Sequence, residues 1–385
     1  MKKKIIRVTT VPASLRGLLY GQLKFMSAHY NVIAISSNDE YNLLKMVSER
    51  ENVPTVAIDM TRKITPIKDL ISVYKLYKLF KKEKPFIVHS HTPKAGTLSM
   101  IAAKFAGVPH RLHTIAGLPL LVATGKKRWL LNTVEKITYA AASMIYPNSH
   151  GLYDIILEEK FTTKNKLKVI AHGSSNGIDV DHFSLNHFSN TTENKALKQK
   201  LNIAETDFVF IYVGRLVADK GIKELLEAFN TISKTHKDAK LLLVGDFETD
   251  LDPLDEKTLE IKDTNPQIIS TGWATDVRPY FAIANVLAFP SYREGFPNVV
   301  MQAGAMELPA IVTNINGCNE IIIEGENGCI IPVRDANALH DAMLKIYNKT
   351  FVYDKAKCRE LIVKRYQRQV IWDGLLQEYK NLENK

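Results

Sequence analysis

Cysteine is scarce: Cys318, Cys329 and Cys358 are the only three in 385 residues. An odd number, not at metal-ligand spacing, argues against a disulfide framework or a thiolate zinc site and predicts a reducing cytoplasm. Long apolar runs are missing as well, so no segment reaches the roughly 20 residues that a membrane-spanning helix needs. The opening Met1-Lys-Lys-Lys-Ile-Ile-Arg-Val8 is a charged entry into a short strand, without the apolar stretch of an export signal. No G-x-G-x-x-G or P-loop follows that strand, which removes the usual support for a dehydrogenase or a nucleoside triphosphatase. No recognised nucleic-acid motif occurs, so nucleic acid is not an expected partner.

What is present is unevenly distributed. Residues 1–190 hold 27 Lys+Arg against 13 Asp+Glu, a net +14, whereas residues 191–385 hold 24 against 28, a net −4. A chain of this length exceeds one ordinary core, and the charge split predicts two domains with different partners. Strands and helices alternate: Ile5–Thr10, Asn31–Ser36 and Pro54–Asp59 read as strands, with helices near Leu18–His29 and over Tyr41–Glu51. That alternation is the pattern of a doubly wound parallel sheet, an α/β fold whose ligands sit outside the carboxyl ends of the strands. Arg16 and Gly17, in the loop predicted over Val11–Gly17, fall at that edge, and so do His91 and Lys94 after the strand Phe86–His89. The polar run Asn186–Lys200 reads as a linker. The expected domains are 1–186 and 187–365, with a last helix from about 366 to 385 crossing back onto the first.

Two segments of the basic half combine aromatics with lysine. Along Asp69–Lys84, Leu70, Tyr74, Tyr77 and Phe80 recur at helical spacing and predict a core-facing stripe, with Lys75, Lys78, Lys82 and Lys84 falling mostly elsewhere. Lys126-Lys-Arg-Trp129 has a similar make-up. The alternative for both is contact with an anionic membrane surface, apolar rings and lysines meeting the headgroups.

The second half carries the sharper signals. Strand Asp207–Val213 runs into Gly214-Arg-Leu-Val-Ala-Asp-Lys-Gly221, so Arg215 and Lys220 flank a turn at a strand's carboxyl end, where both can reach a diphosphate. Strand Asn285–Pro290 runs into Tyr292-Arg-Glu-Gly-Phe-Pro-Asn-Val-Val-Met-Gln302. Pro297 is expected in the first turn of a helix that Pro309 stops. Glu294 then stands before a helix start whose free N–H groups suit an anion, and Gln302 lies eight positions further on. The D-x-D within Glu248-Thr-Asp-Leu-Asp252 sits in a polar loop and reads as a solvated turn or helix cap, so no divalent metal is expected.

These segments together resemble the family 4 retaining glycosyltransferases of the GT-B fold, in which two Rossmann-like doubly wound domains face each other across a cleft. Glu294 and Gln302 align with the family's E-x7-E signature, with Gln in place of the second Glu. Gly214-Arg-Leu and Lys220-Gly221 match its G-R-L…K-G residue for residue. Asn176-Gly-Ile-Asp179 with Phe183 resembles the strand that crosses between domains, and His89–Gly96 and His113–Pro119 look like a bacterial subset that builds capsular, O-antigen or exopolysaccharide repeat units. The resemblance implies a cytoplasmic enzyme, peripheral at the inner face of the membrane. It would move a hexosyl or N-acetylhexosaminyl group from a nucleotide sugar, a UDP-sugar, to a lipid-diphosphate-linked glycan, with no cofactor. It further implies that Arg215 and Lys220 steady the leaving diphosphate, that Glu294 orients the donor sugar and that Gln302 holds the ribose. Gly17, Gly214, Trp273, Phe296, Asn298 and Val299 complete the nucleotide-sugar set, and Arg16, His91 and Lys94 stand on the acceptor side. Relatives carry a histidine directly before the glycine matched by Gly117; here that residue is Ala116, and His113, of opposite strand-face parity, is the nearest candidate. Two other classes share such a frame: a nucleotide-sugar epimerase, which would act without acceptor, and a non-catalytic nucleotide-sugar-binding partner subunit.

Overall fold

The computed structural model describes residues 2–61, 64–188, 191–248 and 252–384. The chain divides into two compact units, Met1–Gly177 with Gln369–Lys385, and Ile178–Arg368. In chain order the first holds β1 (Lys4–Val8), α1 (Pro12–Leu18), α2 (Gln22–Ser27), β2 (Asn31–Ser36), α3 (Leu43–Glu51), β3 (Thr55–Ala57), α4 (Pro66–Glu83), β4 (Ile87–Ser90), α5 (Pro93–Ala106), β5 (His110–Ile115), α6 (Gly125–Ala141), β6 (Met144–Pro147) and α7 (His150–Glu158). The second holds α8 (Thr191–Lys200), β7 (Phe208–Val213), α9 (Ile222–Thr235), β8 (Ala239–Val244), α10 (Glu256–Thr264), β9 (Ile268–Gly272), α11 (Arg278–Ala282), β10 (Val286–Phe289), α12 (Asn298–Ala305), β11 (Ala310–Thr313), α13 (Cys318–Ile321), β12 (Gly328–Ile331), α14 (Ala336–Tyr347) and α15 (Lys355–Tyr366). Helix α16 (Arg368–Glu383) returns the chain to the first unit.

Each unit is built on a six-stranded parallel sheet, ordered β3-β2-β1-β4-β5-β6 and β12-β11-β10-β7-β8-β9. Strands such as Phe208–Val213 are apolar along their whole length because helices cover both faces of a parallel sheet. Ile211, Tyr212, Leu242, Leu287 and Ile311 are accordingly buried in one continuous core. In the first unit Leu375 and Tyr379 of α16 complete a core layer against Ile5, Leu23 and Tyr30. The order reverses between β1 and β4 in one sheet and between β7 and β10 in the other. Those are the two switch points, where neighbouring loops diverge and leave room for a ligand.

Several local expectations give way. The segment after β1 is not a loop: Pro12 starts α1, which contains Arg16 and Gly17, and the predicted Leu18–His29 helix is broken by Gly21 at φ +77° before α2. A proline in the first turn fixes a helical φ and loses no hydrogen bond there, so Pro12 favours the early start. The linker run instead forms a short 3-10 turn (Leu185–Phe188) and α8, with residues 189–190 outside the described ones. Pro297 precedes α12 in extended conformation rather than occupying its first turn. On α4 the face turned inward is Ser72, Leu76 and Phe80, while Leu70 and Tyr74 are 70% and 55% exposed. Leu70, Tyr74, Tyr77 and Phe80 do recur at helical spacing, but burial follows Leu76 and Phe80, which continue the inner stripe.

Candidate active site

Strands β7 and β10 lie side by side, with Val286 opposite Phe210 and Leu287 opposite Ile211, so the loops leaving their carboxyl ends are neighbours. One is Gly214–Gly221, the other Pro290–Pro297. Glycine fixes how they meet. Gly221 has φ +69°, and a Cβ there would lie 2.0 Å from the Pro290 carbonyl oxygen, so any other residue would push the loops apart. The Tyr292 N–H donates to the Asp219 carbonyl at 2.9 Å, and Arg293 pairs with the Asp219 carboxylate at 2.6 Å. The result is a contact between residues 74 positions apart: Lys220 Nζ lies 2.5 Å from Glu294 Oε1, both largely buried.

Glu294 is anchored from below. The Ser291 hydroxyl donates to the same Oε1 at 3.1 Å, which leaves Oε2 without a partner among the described residues. Asn316 Nδ2 donates to the backbone carbonyls of Glu294 and Gly295, and Gly317 (φ +77°) leaves no room for a Cβ beside Gly295. Arg215 is held differently. Its backbone carbonyl accepts from the Tyr212 hydroxyl at 2.9 Å, and its guanidinium reaches Glu248 at 2.7 Å, half exposed. The hydrogen bond to Glu248 keeps the guanidinium firmly protonated. Burial first, and the nearby Glu294 and Asp219 carboxylates next, push the Tyr212 phenol well above its usual range. The two loops thus share one electrostatic neighbourhood around Tyr212. The backbone N–H of Ala218 donates to the Asp252 carbonyl and that of Asp219 to its carboxylate at 2.6 Å, tying the two loops together; residues 249–251 lie outside the described ones.

The remaining second-unit candidates divide. Asn298, exposed, and Val299, half-buried, start α12, and Gln302 lies one turn further along it, also half-buried. Trp273 is 69% exposed, and its backbone N–H donates to Asp246. Phe296 is buried edge-on against Tyr366 with ring centroids 5.3 Å apart, a packing position. Gly214, at φ +150°, lets Gly245 approach so closely that a Cβ on the latter would meet its carbonyl at 1.9 Å.

First-unit candidates sit in a different chemical setting. His113 is buried, its Nδ1 2.8 Å from the Ser90 hydroxyl, and its ring fills the space above Gly96, where a Cβ would lie 2.3 Å from Cε1. Burial lowers its pKa to about 4, so it is a neutral packing group. His91 Nε2 accepts from Arg7 Nε at 3.0 Å, which places its proton on Nδ1, and burial holds it neutral as well. Arg7 is completely buried with no carboxylate partner among the described residues; it donates to His91 and Gln22 instead. Lys94 pairs with Asp69 at 2.5 Å. Arg16 and Gly17 are exposed on α1, and Gly17 has open space where a Cβ would stand, so nothing there demands glycine.

Sequence reading missed Glu248, Ser291, Asn316 and Asp219. The signals available were Lys220-Gly221 and Asn316-Gly317, each a polar residue beside a glycine of positive φ that fixes where its neighbour points.

Two doubly wound units, each on a six-stranded parallel sheet, have the architecture of the GT-B glycosyltransferases. The model for "Glycosyl transferase 4-like" proteins matches residues 18–149 and that for "Glycosyl transferases group 1" matches residues 207–349. The capsular polysaccharide biosynthesis glycosyltransferase CapM of Staphylococcus aureus is 34% identical over 98% of this chain and 97% of its own. The UDP-Gal:alpha-D-GlcNAc-diphosphoundecaprenol alpha-1,3-galactosyltransferase of Escherichia coli is 31% identical over 81% of this chain and 78% of its own. A crystal structure of a glycosyltransferase from Rickettsia africae, 19% identical, superposes with a TM-score of 0.80 over 99% of this chain and 98% of that one. The chain belongs to the group 1, family 4 glycosyltransferases and is a glycosyltransferase of that GT-B family.

Proposed function

We propose that the protein transfers a hexosyl or N-acetylhexosaminyl group from a UDP-sugar to a hydroxyl of a lipid-diphosphate-linked glycan in surface-polysaccharide synthesis, with retention at the anomeric carbon. The observation that carries this reading is the Lys220–Glu294 pair at the β7/β10 switch point. An ammonium has three donors and Glu294 takes one, so two remain for diphosphate oxygens. The Arg215 guanidinium adds its fork from the same loop, and the amides of Asn298 and Val299 add the positive end of α12. These groups stabilise the charge that develops on the leaving diphosphate, the dominant contribution in chemistry of this kind. Glu294 Oε2 accepts from a donor-sugar hydroxyl, and Gln302 binds the ribose with its amide. No side chain acts as nucleophile: the acceptor hydroxyl attacks the face that the leaving group vacates, and the departing phosphate takes its proton. With two cations on the leaving group, activity is expected to survive chelation of divalent metals.

The named substrates of the E. coli relative and the capsular role in the name of the S. aureus relative support this acceptor class. The apolar outer face of α4 supports a peripheral station at the inner membrane surface: Ile67, Leu70, Ile71 and Tyr74 are half or more exposed, with lysines alongside. No helix among the described residues is long and apolar enough to cross a membrane. The test is mass spectrometry of reactions with a panel of nucleotide sugars and lipid-diphosphate-linked sugars, with and without EDTA. A mass gain of one glycosyl unit on the lipid, unaffected by EDTA, is expected. Epimerised donor without acceptor, or nucleotide binding without transfer to any acceptor, would overturn the reading.

A further inference from the structure

The first unit has a switch point of its own, and a cavity opens there. Thr10, just after β1, and Thr92, just after β4, face each other with hydroxyl oxygens 2.7 Å apart. Beside them lies a cavity of ≈ 500 Å³, inside the roughly 300–1,000 Å³ range of small-ligand sites. Its polar groups are Thr10, Ser14, Thr92 and Thr97, the Lys94–Asp69 pair, and Glu135. Its walls are apolar, formed by Leu98 on α5, Leu120, and Leu131 and Val134 on α6. Glu135, also on the wall, is buried, and burial lifts its carboxyl to about 7, so that the wall carries less charge than a free carboxylate would give it. The apolar character does not stop at the rim. Ile64, itself a wall residue, is 58% exposed, and the chain runs from it into the bare face of α4; Leu130, next to Leu131, and Trp129 are exposed in turn.

A cavity whose one lysine is shared with Asp69, with paired hydroxyls beside it and an aliphatic lining that continues onto an exposed apolar face, suits a ligand with a long hydrocarbon tail and a phosphate head that draws Lys94 away from Asp69. We propose that this cavity holds the first hydrocarbon segment of a diphosphate-linked isoprenoid or alkyl acceptor, with Lys94 and the two threonines at the diphosphate. The inference rests on the transferase reading for the identity of the acceptor. The cavity itself can be tested without transfer.

Calorimetry on the full chain with farnesyl diphosphate, inorganic diphosphate and farnesol reads the site directly. Farnesyl diphosphate is expected to bind about tenfold or more tightly than inorganic diphosphate, the scale of two buried methylenes. Val134→Trp, which fills the cavity, and Ile64→Asp, on the exposed rim where folding is insensitive, should each weaken it about tenfold and leave UDP binding unchanged. Lys94→Ala should weaken farnesyl diphosphate but not farnesol. Farnesyl diphosphate binding that survives both Val134→Trp and Ile64→Asp, or no binding to the unmodified protein, would overturn the proposal. Binding with these losses but no sugar transfer to any lipid diphosphate would sustain the cavity and sink the transferase reading. Normal transfer with a long-chain acceptor KM unmoved by Val134→Trp would sink the cavity alone.

Discussion

The two units share one sheet topology, yet their switch points are chemically opposite. In the second, side chains of opposite charge meet at the loop ends and are aimed by glycine: Lys220 pairs with Glu294, and Arg215 with Glu248. In the first, the histidines are sunk into the core and neutral, with His89, His91 and His113 all buried and their pKa values lowered by desolvation. What remains at that edge is hydroxyl, one paired lysine and an apolar hollow. Under the proposed reading, one frame would serve two tasks, with fixed charge for a phosphate leaving group in one unit and apolar shape for a lipid-linked acceptor in the other.

The largest loss is expected at the charged switch point. Lys220→Ala is expected to lower turnover by roughly two to three orders of magnitude, as for removal of one oxyanion-type donor, and Arg215→Ala by a similar amount. Steady-state transfer assays check both. The neutral switch point should instead show itself in stability. Histidines buried neutral bind fewer protons folded than unfolded below about pH 6.5, so their contribution is present above that pH and lost as pH falls. For His113, with a folded value of about 4, the loss between pH 6.5 and 5 is about 2 kcal/mol at about 1.4 kcal/mol per unit. Glu135 runs the other way: raised to about 7, it favours folding as pH falls from 7 towards 4.5. Thermal unfolding followed from pH 7 to 5 should show a falling melting temperature, and Glu135→Gln should make the fall steeper.

A smaller effect sharpens the assignment of His113. Gly96→Ala would drive a methyl into its ring, and overpacking of this kind costs about 1–3 kcal/mol. Denaturant unfolding should show that loss while kcat of the folded enzyme stays near normal; a collapse of kcat at unchanged stability would return His113 to the chemistry. The smallest change in stability belongs to the bare face of α4. Leu70→Asp, on an exposed position, should shift unfolding by no more than about 0.5 kcal/mol and yet reduce sedimentation with anionic vesicles.

Much of the second site was legible in the sequence because its determinants are short and local. Gly214-Arg-Leu and Lys220-Gly221 follow an apolar strand directly, and Glu294 follows another, so strand-end logic alone placed both at one edge. Their contact was not legible, since it depends on β7 and β10 being neighbours, a long-range pairing, and on Gly221 clearing Pro290. The first unit was less readable. Pro12 and Gly21 could have announced α1 and its break, but Leu70 and Tyr74 satisfy the helical period as well as Leu76 and Phe80 do. Periodicity finds an apolar stripe without telling which side the sheet covers. His91 and His113 look reactive on paper, and only the packing of Arg7, Ser90 and Gly96 around them reveals their neutrality.

The most direct measurement is a double-mutant cycle on turnover across Lys220→Ala and Glu294→Ala with saturating donor and acceptor. If the two side chains act as one unit on the diphosphate-linked sugar, each single change costs roughly two to three orders of magnitude and the pair costs little more than either alone. Near-normal turnover in both single variants, or losses that simply multiply in the double variant, would contradict the account.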